Sequence, residues 1–330
     1  MSKKILVIRF SSIGDIVLTT PVVRALHLQL GAEVHFLTKM AFAPIVQYNP
    51  HIARVITLSD DFKSLIQDLK REEYDYIIDL HHNFRTKRIK IALGRSSSSF
   101  YKLNFEKWLL VHTGINRLPD IHIVDRYMEA AASLGVHKDQ QGLDWYIPDE
   151  KKVDINTEFN FSVGEYVGFV IGAAHATKCL TPEQIINICQ QLNKPVILLG
   201  GKDEIGKANM IMESMAPGKV RNGCGRFDLL QSSSILQQAG SVITHDTGLM
   251  HIAAALQKHL VVVWGNTIPE FGMYPYYGNA QKQWISFEQQ GLSCRPCSKL
   301  GFPKCPKGHF KCILEHEPGA IAQAAESFIS

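Results

Sequence analysis

The sequence is short of the features that would send it to a membrane span, a secretory route or a nucleic acid. None of its apolar runs approaches the roughly 20 residues that cross a bilayer. The opening MSKKILVIRF has neither the apolar run nor the small-residue cleavage site of a signal peptide, so a cytoplasmic location is expected. Charge is balanced: 35 Lys and Arg against 31 Asp and Glu give +4, too mild to argue for nucleic acid. No platform of aromatic and basic residues adds to that case, so no nucleic-acid partner is expected. Seven cysteines in a cytosolic chain do not read as a disulfide framework. G-x-G-x-x-G is missing from the first strand–loop–helix, which argues against an NAD dehydrogenase.

What is present is a globular α/β pattern. At 330 residues, with 45% hydrophobic and 20% charged residues, the chain is long enough for two cored domains. Lys4–Phe10 reads as an apolar strand, Ser11–Gly14 as a tight turn, and Asp15–Leu30 as a helix with Pro21 inside it. Strands follow at Val34–Leu37, Arg54–Leu58 and Tyr76–Leu80, and helices at Phe62–Arg71 and His122–Leu134. The polar stretch His137–Gly164 reads as an interdomain connection with a short strand at Leu143–Ile147. A second α/β run starts at Tyr166–Ile171. Its next helix, Pro182–Leu192, has Thr181, Pro182 and Gln184 placed as a capping box. Two such domains facing across a cleft make a GT-B-like architecture. The expected divisions are 1–155, 156–316, and a terminal helix within 317–330 that packs back toward the first domain.

The stretch Val242–Leu256, VITHDTGLMHIAAAL, organises the second half. It reads as a strand, a polar turn at His245–Thr247, and a helix opening at Gly248. A helix start offers free N–H donors and a positive dipole end, which suit a phosphate. Gly248 lets a ligand come close to the backbone. Asp246 and Thr247 are N-cap types, and His251 lies about one turn on. A plain capped helix carries the same residues. The same choice arises at Asp15, which can accept a proton from an attacking hydroxyl or merely cap a helix. HHNFRTKRIK, His81–Lys90, is either a solvated helix start or an anion-facing segment in which Arg85, Lys87 and Arg88 meet an acceptor.

The run Asp246–Ala255, D-T-G-L-x-H-x-A-A-A, and the stretch Ile5–Pro21, ILVIRFSSIGDIVLTTP, resemble two motifs of glycosyltransferase family 9, the ADP-heptose:lipopolysaccharide heptosyltransferases. The resemblance implies an inverting glycosyltransferase needing no cofactor. It implies Asp15 as general base, with Ser11, Ser12 and Gly14 beside it on the acceptor side. Lys178, in GAAHATKCLTPEQ, would neutralise the donor diphosphate on Asp246, Thr247 and Gly248. Ala173 and Ala174 stand where relatives carry hydroxyls, so His175 or Thr177 would substitute. Glu204 would hold the ribose. The expected partners are a nucleotide-diphospho-sugar, a lipopolysaccharide core acceptor and the inner face of the cytoplasmic membrane. Rival readings are another sugar donor, an inactive sugar-nucleotide-binding protein, or a nucleic-acid module resting on the basic cysteine segment. In that segment Cys294, Cys297, Cys305, His309 and Cys312 have a spacing that suits zinc. A structural zinc, free thiols and a disulfide all stay open. Arg295, Lys299, Lys304, Lys307 and Lys311 are interleaved with the cysteines and are candidates for phosphate contact.

Overall fold

The structure, a computed structural model, describes residues 2–281 and 283–329; Met1, Lys282 and Ser330, one in each of the three expected divisions, lie outside them. The chain divides into two compact units. One gathers Met1–Leu103, Asp120–Tyr146 and Gly278–Ala280; the other gathers Asn104–Pro119, Ile147–Tyr277 and Gln281–Ser330.

The first unit is built on a five-stranded parallel sheet. Its strands are β1 (Lys4–Ile8), β2 (Glu33–Thr38), β3 (Arg54–Thr57), β4 (Tyr76–Asp79) and β5 (Ser97–Ser99), in the order β3-β2-β1-β4-β5. Ile5, Leu6, Val7 and Ile8 are all fully buried. A parallel strand covered on both faces needs such a continuous apolar run, which is why KILVI reads as a strand without alternation. The strand order reverses between β1 and β4, where Ile8 pairs with Asp79. The crevice beyond the carboxyl ends at such a switch point is where open α/β sheets bind ligands. The Ser11–Asp15 loop leaves β1 at that place.

The second unit carries six parallel strands: β6 (Val167–Val170), β7 (Val196–Leu199), β8 (Val220–Asn222), β9 (Ser241–His245), β10 (Leu260–Val263) and β11 (Trp284–Phe287). Their order, β11-β10-β9-β6-β7-β8, reverses between β6 and β9. The loops after β6 and β9, which hold Lys178 and Asp246, therefore leave the sheet side by side.

Several local readings are corrected. The expected helix Asp15–Leu30 is two helices, Ile13–Val17 and Thr20–Leu30. Proline starts helices well and continues them badly, and Pro21 sits in the first turn of the second. The Thr19 and Thr20 hydroxyls donate to the Ile16 and Val17 carbonyls, 2.7 and 2.8 Å, at the break. Leu143–Ile147 is not a strand. Its polar groups and those before it serve Arg24 instead. The Arg24 guanidinium meets Asp139 at 2.6 Å, the Gly142 carbonyl at 2.9 Å, and the Asp144 carboxylate. The connection after Tyr146 belongs to the second unit: Ile155 and Phe159 of the helix Ile155–Phe159 are buried in its core. The terminal helix, Pro318–Glu326, also spends its apolar face there. Ile321, Ala322 and Ala325 join the second unit's core. The helix Asn104–Thr113 and strand β11 were not foreseen.

Arg24 is 3% exposed and its two carboxylate partners are mostly covered. Arg24→Leu leaves those carboxylates without a cation and should destabilise the protein by about 3 kcal/mol. The Asp139 carboxyl lies below its usual range because the Arg24 contacts outweigh burial. A depressed carboxyl gives stability above its unfolded pKa that fades as pH falls, so the Asp139 share of the loss should shrink in acid. Urea unfolding at neutral and acid pH measures both; a loss independent of pH would contradict the ion-pair account.

Candidate active site

Asp15 lies in the first turn of Ile13–Val17, three residues after the N-cap Ser12. It is therefore not the cap; it receives the cap's bonds. The Ser12 hydroxyl donates to Asp15 Oδ2 at 2.9 Å and the Ser12 N–H at 3.3 Å. Arg9, the first residue past β1, reaches the same oxygen with Nη2 at 2.7 Å. Its other N–H groups are held by the Ser11 carbonyl at 2.7 Å and the Leu80 carbonyl at 2.5 Å. The Tyr127 hydroxyl lies 3.4 Å from Asp15 Oδ1. Burial opposes ionisation of Asp15, but Arg9 and Ser12 outweigh it and hold the carboxyl below its usual range. A carboxylate that is 21% exposed, ionised at neutral pH and fixed by three partners is placed to take a proton from a hydroxyl.

His81, after β4, stands next to this cluster. Its ring centroid is 4.8 Å from that of Phe10. Burial, with Arg9 and Lys102 nearby, pushes its pKa down to about 4, so it is neutral at physiological pH. Its buried Nδ1 has no protein partner. Arg9, His81 and Tyr127 were missed in the sequence. An arginine inside an apolar strand run was the available signal for the first. The others come from β4 and a helix far along the chain, and only folding brings them near.

The donor candidates gather in the second unit. Lys178 Nζ lies 2.6 Å from Asp246 Oδ2, and the Thr267 hydroxyl donates to that same oxygen at 2.8 Å. Asp246 thus ties the loops after β6, β9 and β10 rather than capping the helix. The cap of Gly248–Ala255 is Thr247, whose hydroxyl accepts from the Met250 N–H at 3.4 Å. Gly248 is partly exposed at the helix start, while His251 is 2% exposed. His245 ends β9 rather than opening the turn. It is fully buried, and its Nε2 accepts from the Leu180 N–H at 3.0 Å. Burial lowers its pKa to about 3, which keeps it a neutral acceptor. Lys207 Nζ donates to the Ile171 and Leu180 carbonyls at 3.1 and 3.0 Å and so pins both ends of the Lys178 loop.

Glu204 lies over a shelf of glycines. Its Oε2 accepts from the Gly201 N–H at 2.8 Å. A Cβ at Gly172 would come within 2.7 Å of Glu204 Cδ, and one at Gly200 within 2.9 Å of its Cβ. The carboxylate therefore sits where the loops after β6 and β7 meet, a place suited to sugar hydroxyls. Thr177 does not stand in for a missing phosphate hydroxyl. It is 1% exposed, and its Oγ1 donates to Asn266 Oδ1 at 2.9 Å and accepts from the Phe302 N–H at 2.8 Å. His175 stays partly exposed on that loop.

Ser11, Ser12 and Gly14 lie where expected, around Asp15. Arg85, Lys87 and Arg88 do not join them. All three are exposed on the helix Phe84–Leu93, and no hydrogen bond or ion pair links them to the Asp15 cluster among the described residues.

The cysteine segment braces the donor loops. The Arg295 guanidinium bonds the carbonyls of Gly265 and Thr267, both at 2.8 Å, and pairs with Glu288 at 2.9 Å. It is spent on the protein and does not wait for a phosphate. Cys294, Cys297, Cys305 and Cys312 are free thiols. Burial and the neighbouring thiols push Cys312 up to about 11. Cys294 Sγ is 3.6 Å from His309 Nε2, yet no three candidate ligands are grouped to hold a metal among the described residues.

Two parallel-sheet α/β units, each with polar residues at a topological switch point, make a GT-B-like architecture. The chain belongs to glycosyltransferase family 9 (heptosyltransferase), whose model matches residues 62–300. It is 24% identical over 302 residues to lipopolysaccharide heptosyltransferase 1 of Escherichia coli (strain K12), covering 84% of this chain and 92% of that one. Its fold is similar to a family 9 glycosyltransferase from Veillonella parvula, with a TM-score of 0.77 at 20% identity over 99% and 97% of the two chains. It is similar also to the E. coli ADP-heptose lps heptosyltransferase II, with a TM-score of 0.76 at 19% identity over 99% and 98%.

The Arg9–Asp15 pair sets an expected pH profile. If Asp15 must be ionised, transfer is full above its depressed pKa and is lost only as pH falls through it. Arg9→Met removes the cation and leaves burial dominant, so the acid limb of kcat/KM should move up by about one to three pH units. An acid limb that does not move would contradict the role given to Arg9.

Proposed function

We propose that the protein is an inverting heptosyltransferase that moves heptose from ADP-heptose to a sugar of the lipopolysaccharide core. The observation that carries this reading is the pair of prepared groups: an ionised, fixed carboxylate at the end of β1, and a lysine beside a glycine helix start at the end of β9. The names of its relatives supply the donor and acceptor.

In this reading the ADP diphosphate rests on the first N–H groups of Gly248–Ala255, with the Thr247 hydroxyl assisting. Lys178 turns from Asp246 toward the phosphates. Glu204 receives the ribose hydroxyls. An acceptor hydroxyl gives its proton to Asp15 and its oxygen attacks the anomeric carbon as the bond to the diphosphate breaks. The departing ADP takes the electron pair, and fixed N–H dipoles with Lys178 stabilise the charge it gains. The acceptor is lipid-borne, so the enzyme works at the inner face of the cytoplasmic membrane without spanning it; no helix among the described residues is long and apolar enough to cross.

Asp15→Asn keeps the size of the side chain and removes the base. Turnover with ADP-heptose and a lipopolysaccharide core acceptor should fall about 100-fold or more, with ADP affinity nearly unchanged. Near-normal turnover would show that Asp15 only organises its helix. Because Lys178 and the helix start carry the charge neutralisation, removal of divalent ions with a chelator should leave transfer intact. Loss that added magnesium restores would contradict that assignment.

A further inference from the structure

Helix Phe84–Leu93 buries one side and leaves the other without protein cover. Ile89 is fully buried in the first unit's core, with Ala92 and Leu93 packed against that core. The opposite side exposes Phe84 at 78% and Ile91 at 71%. At 3.6 residues per turn, Phe84, Arg88 and Ile91 fall within about 60° of one another, with Lys87 and Arg85 on the two flanks. Single exposed apolar residues are ordinary. Two large ones on one stripe, edged by three cations, are a different pattern.

The charge around this face is of one sign. From Leu80 to Phe105 the chain has six Lys or Arg and no Asp or Glu. Lys90 is spent on the buried Asp79 at 3.1 Å. Arg85, Lys87 and Arg88 form no ion pair among the described residues, and Arg88 lies over the Phe62 ring at 4.4 Å. Before Phe62 stand the exposed Asp60 and Asp61, of which Asp61 caps the Ser64 N–H at 3.0 Å. Anionic phosphates complement such an edge, and an acyl layer accepts the aromatic and aliphatic centre.

We propose that this face of Phe84–Leu93 docks the protein on an anionic lipid surface: Phe84 and Ile91 enter the headgroup–acyl boundary, and Arg85, Lys87 and Arg88 meet lipid phosphates. The helix begins close after β4, whose end adjoins the Ser11–Asp15 loop through the β1–β4 pairing. Docking here brings the base of the first unit near a lipid-borne acceptor. The inference rests on the transferase reading only for that purpose; binding is read without donor, acceptor or turnover, so the two can fail separately.

Co-sedimentation with vesicles of phosphatidylcholine, alone or mixed with phosphatidylglycerol, is the test. The protein should bind the mixed vesicles, more weakly as salt rises, and the neutral ones at least tenfold less. A triple Arg85→Gln, Lys87→Gln, Arg88→Gln variant should lose about five-fold per cation. Arg85→Lys with Arg88→Lys should retain binding, because charge rather than a forked contact is at work. Phe84→Ser with Ile91→Ser should release the protein at moderate salt. Both sites are exposed, and an unchanged melting temperature confirms that the variants fold. Equal binding to neutral and anionic vesicles, or undiminished binding by the folded triple variant, would overturn the proposal.

Discussion

The contact between Lys178 and Asp246 ties together the loops at the switch point of the second unit. One carboxylate oxygen accepts from Lys178 and from Thr267, so loops from β6, β9 and β10 share a single anchor. Both side chains are mostly covered, 14% and 15% exposed, which makes the pair dependent on its geometry. The surrounding bonds preserve that geometry. Lys207 and His245 hold the two ends of the Lys178 loop from beneath, and Thr177 locks it to Asn266 and Phe302. The cysteine segment matters through the same network: Phe302, Ser298 and Arg295 bond to the loops that carry the anchor. Its bracing is visible in these hydrogen bonds.

The first unit solves a different problem. A base that must be ionised at neutral pH cannot be buried alone, since burial favours the neutral acid. Arg9 resolves this, and its place directly after β1 lets the Ser11 and Leu80 carbonyls fix the guanidinium. The cost is a less basic carboxylate. In the proposed reaction, position and a constant negative charge, rather than high proton affinity, are what Asp15 brings to an acceptor hydroxyl.

Much of this was legible in the sequence, for physical reasons. Parallel strands buried on both faces leave apolar runs, so β1, β4 and β6 stood out. β11, with every residue half-covered, left no such trace. Capping residues marked the helix after Thr181 at its true start. The loops at strand ends pointed to Asp15, Lys178 and Gly248. Tertiary choices were not legible. Asp246 and Thr247 are equally good cap types, and only the fold shows that Lys178 takes one and leaves the other to the helix. The string FRTKRIK gives charge without direction; burial of Ile89 turns its cations outward. Arg295 sits among cysteines in a basic loop, yet three carbonyls and Glu288 claim it. His81, Arg9 and Tyr127 meet Asp15 from three separate elements, and no local pattern announces such a meeting.

In the proposed reaction the helix start at Gly248 is a diphosphate site and not merely a capped end. Isothermal titration of the folded protein with ADP tests it most directly, comparing the native chain with Gly248→Val. The account predicts measurable ADP binding that weakens tenfold or more in the variant, because a branched side chain stands where the phosphates approach the backbone. Equal ADP affinity in the two folded proteins would contradict it.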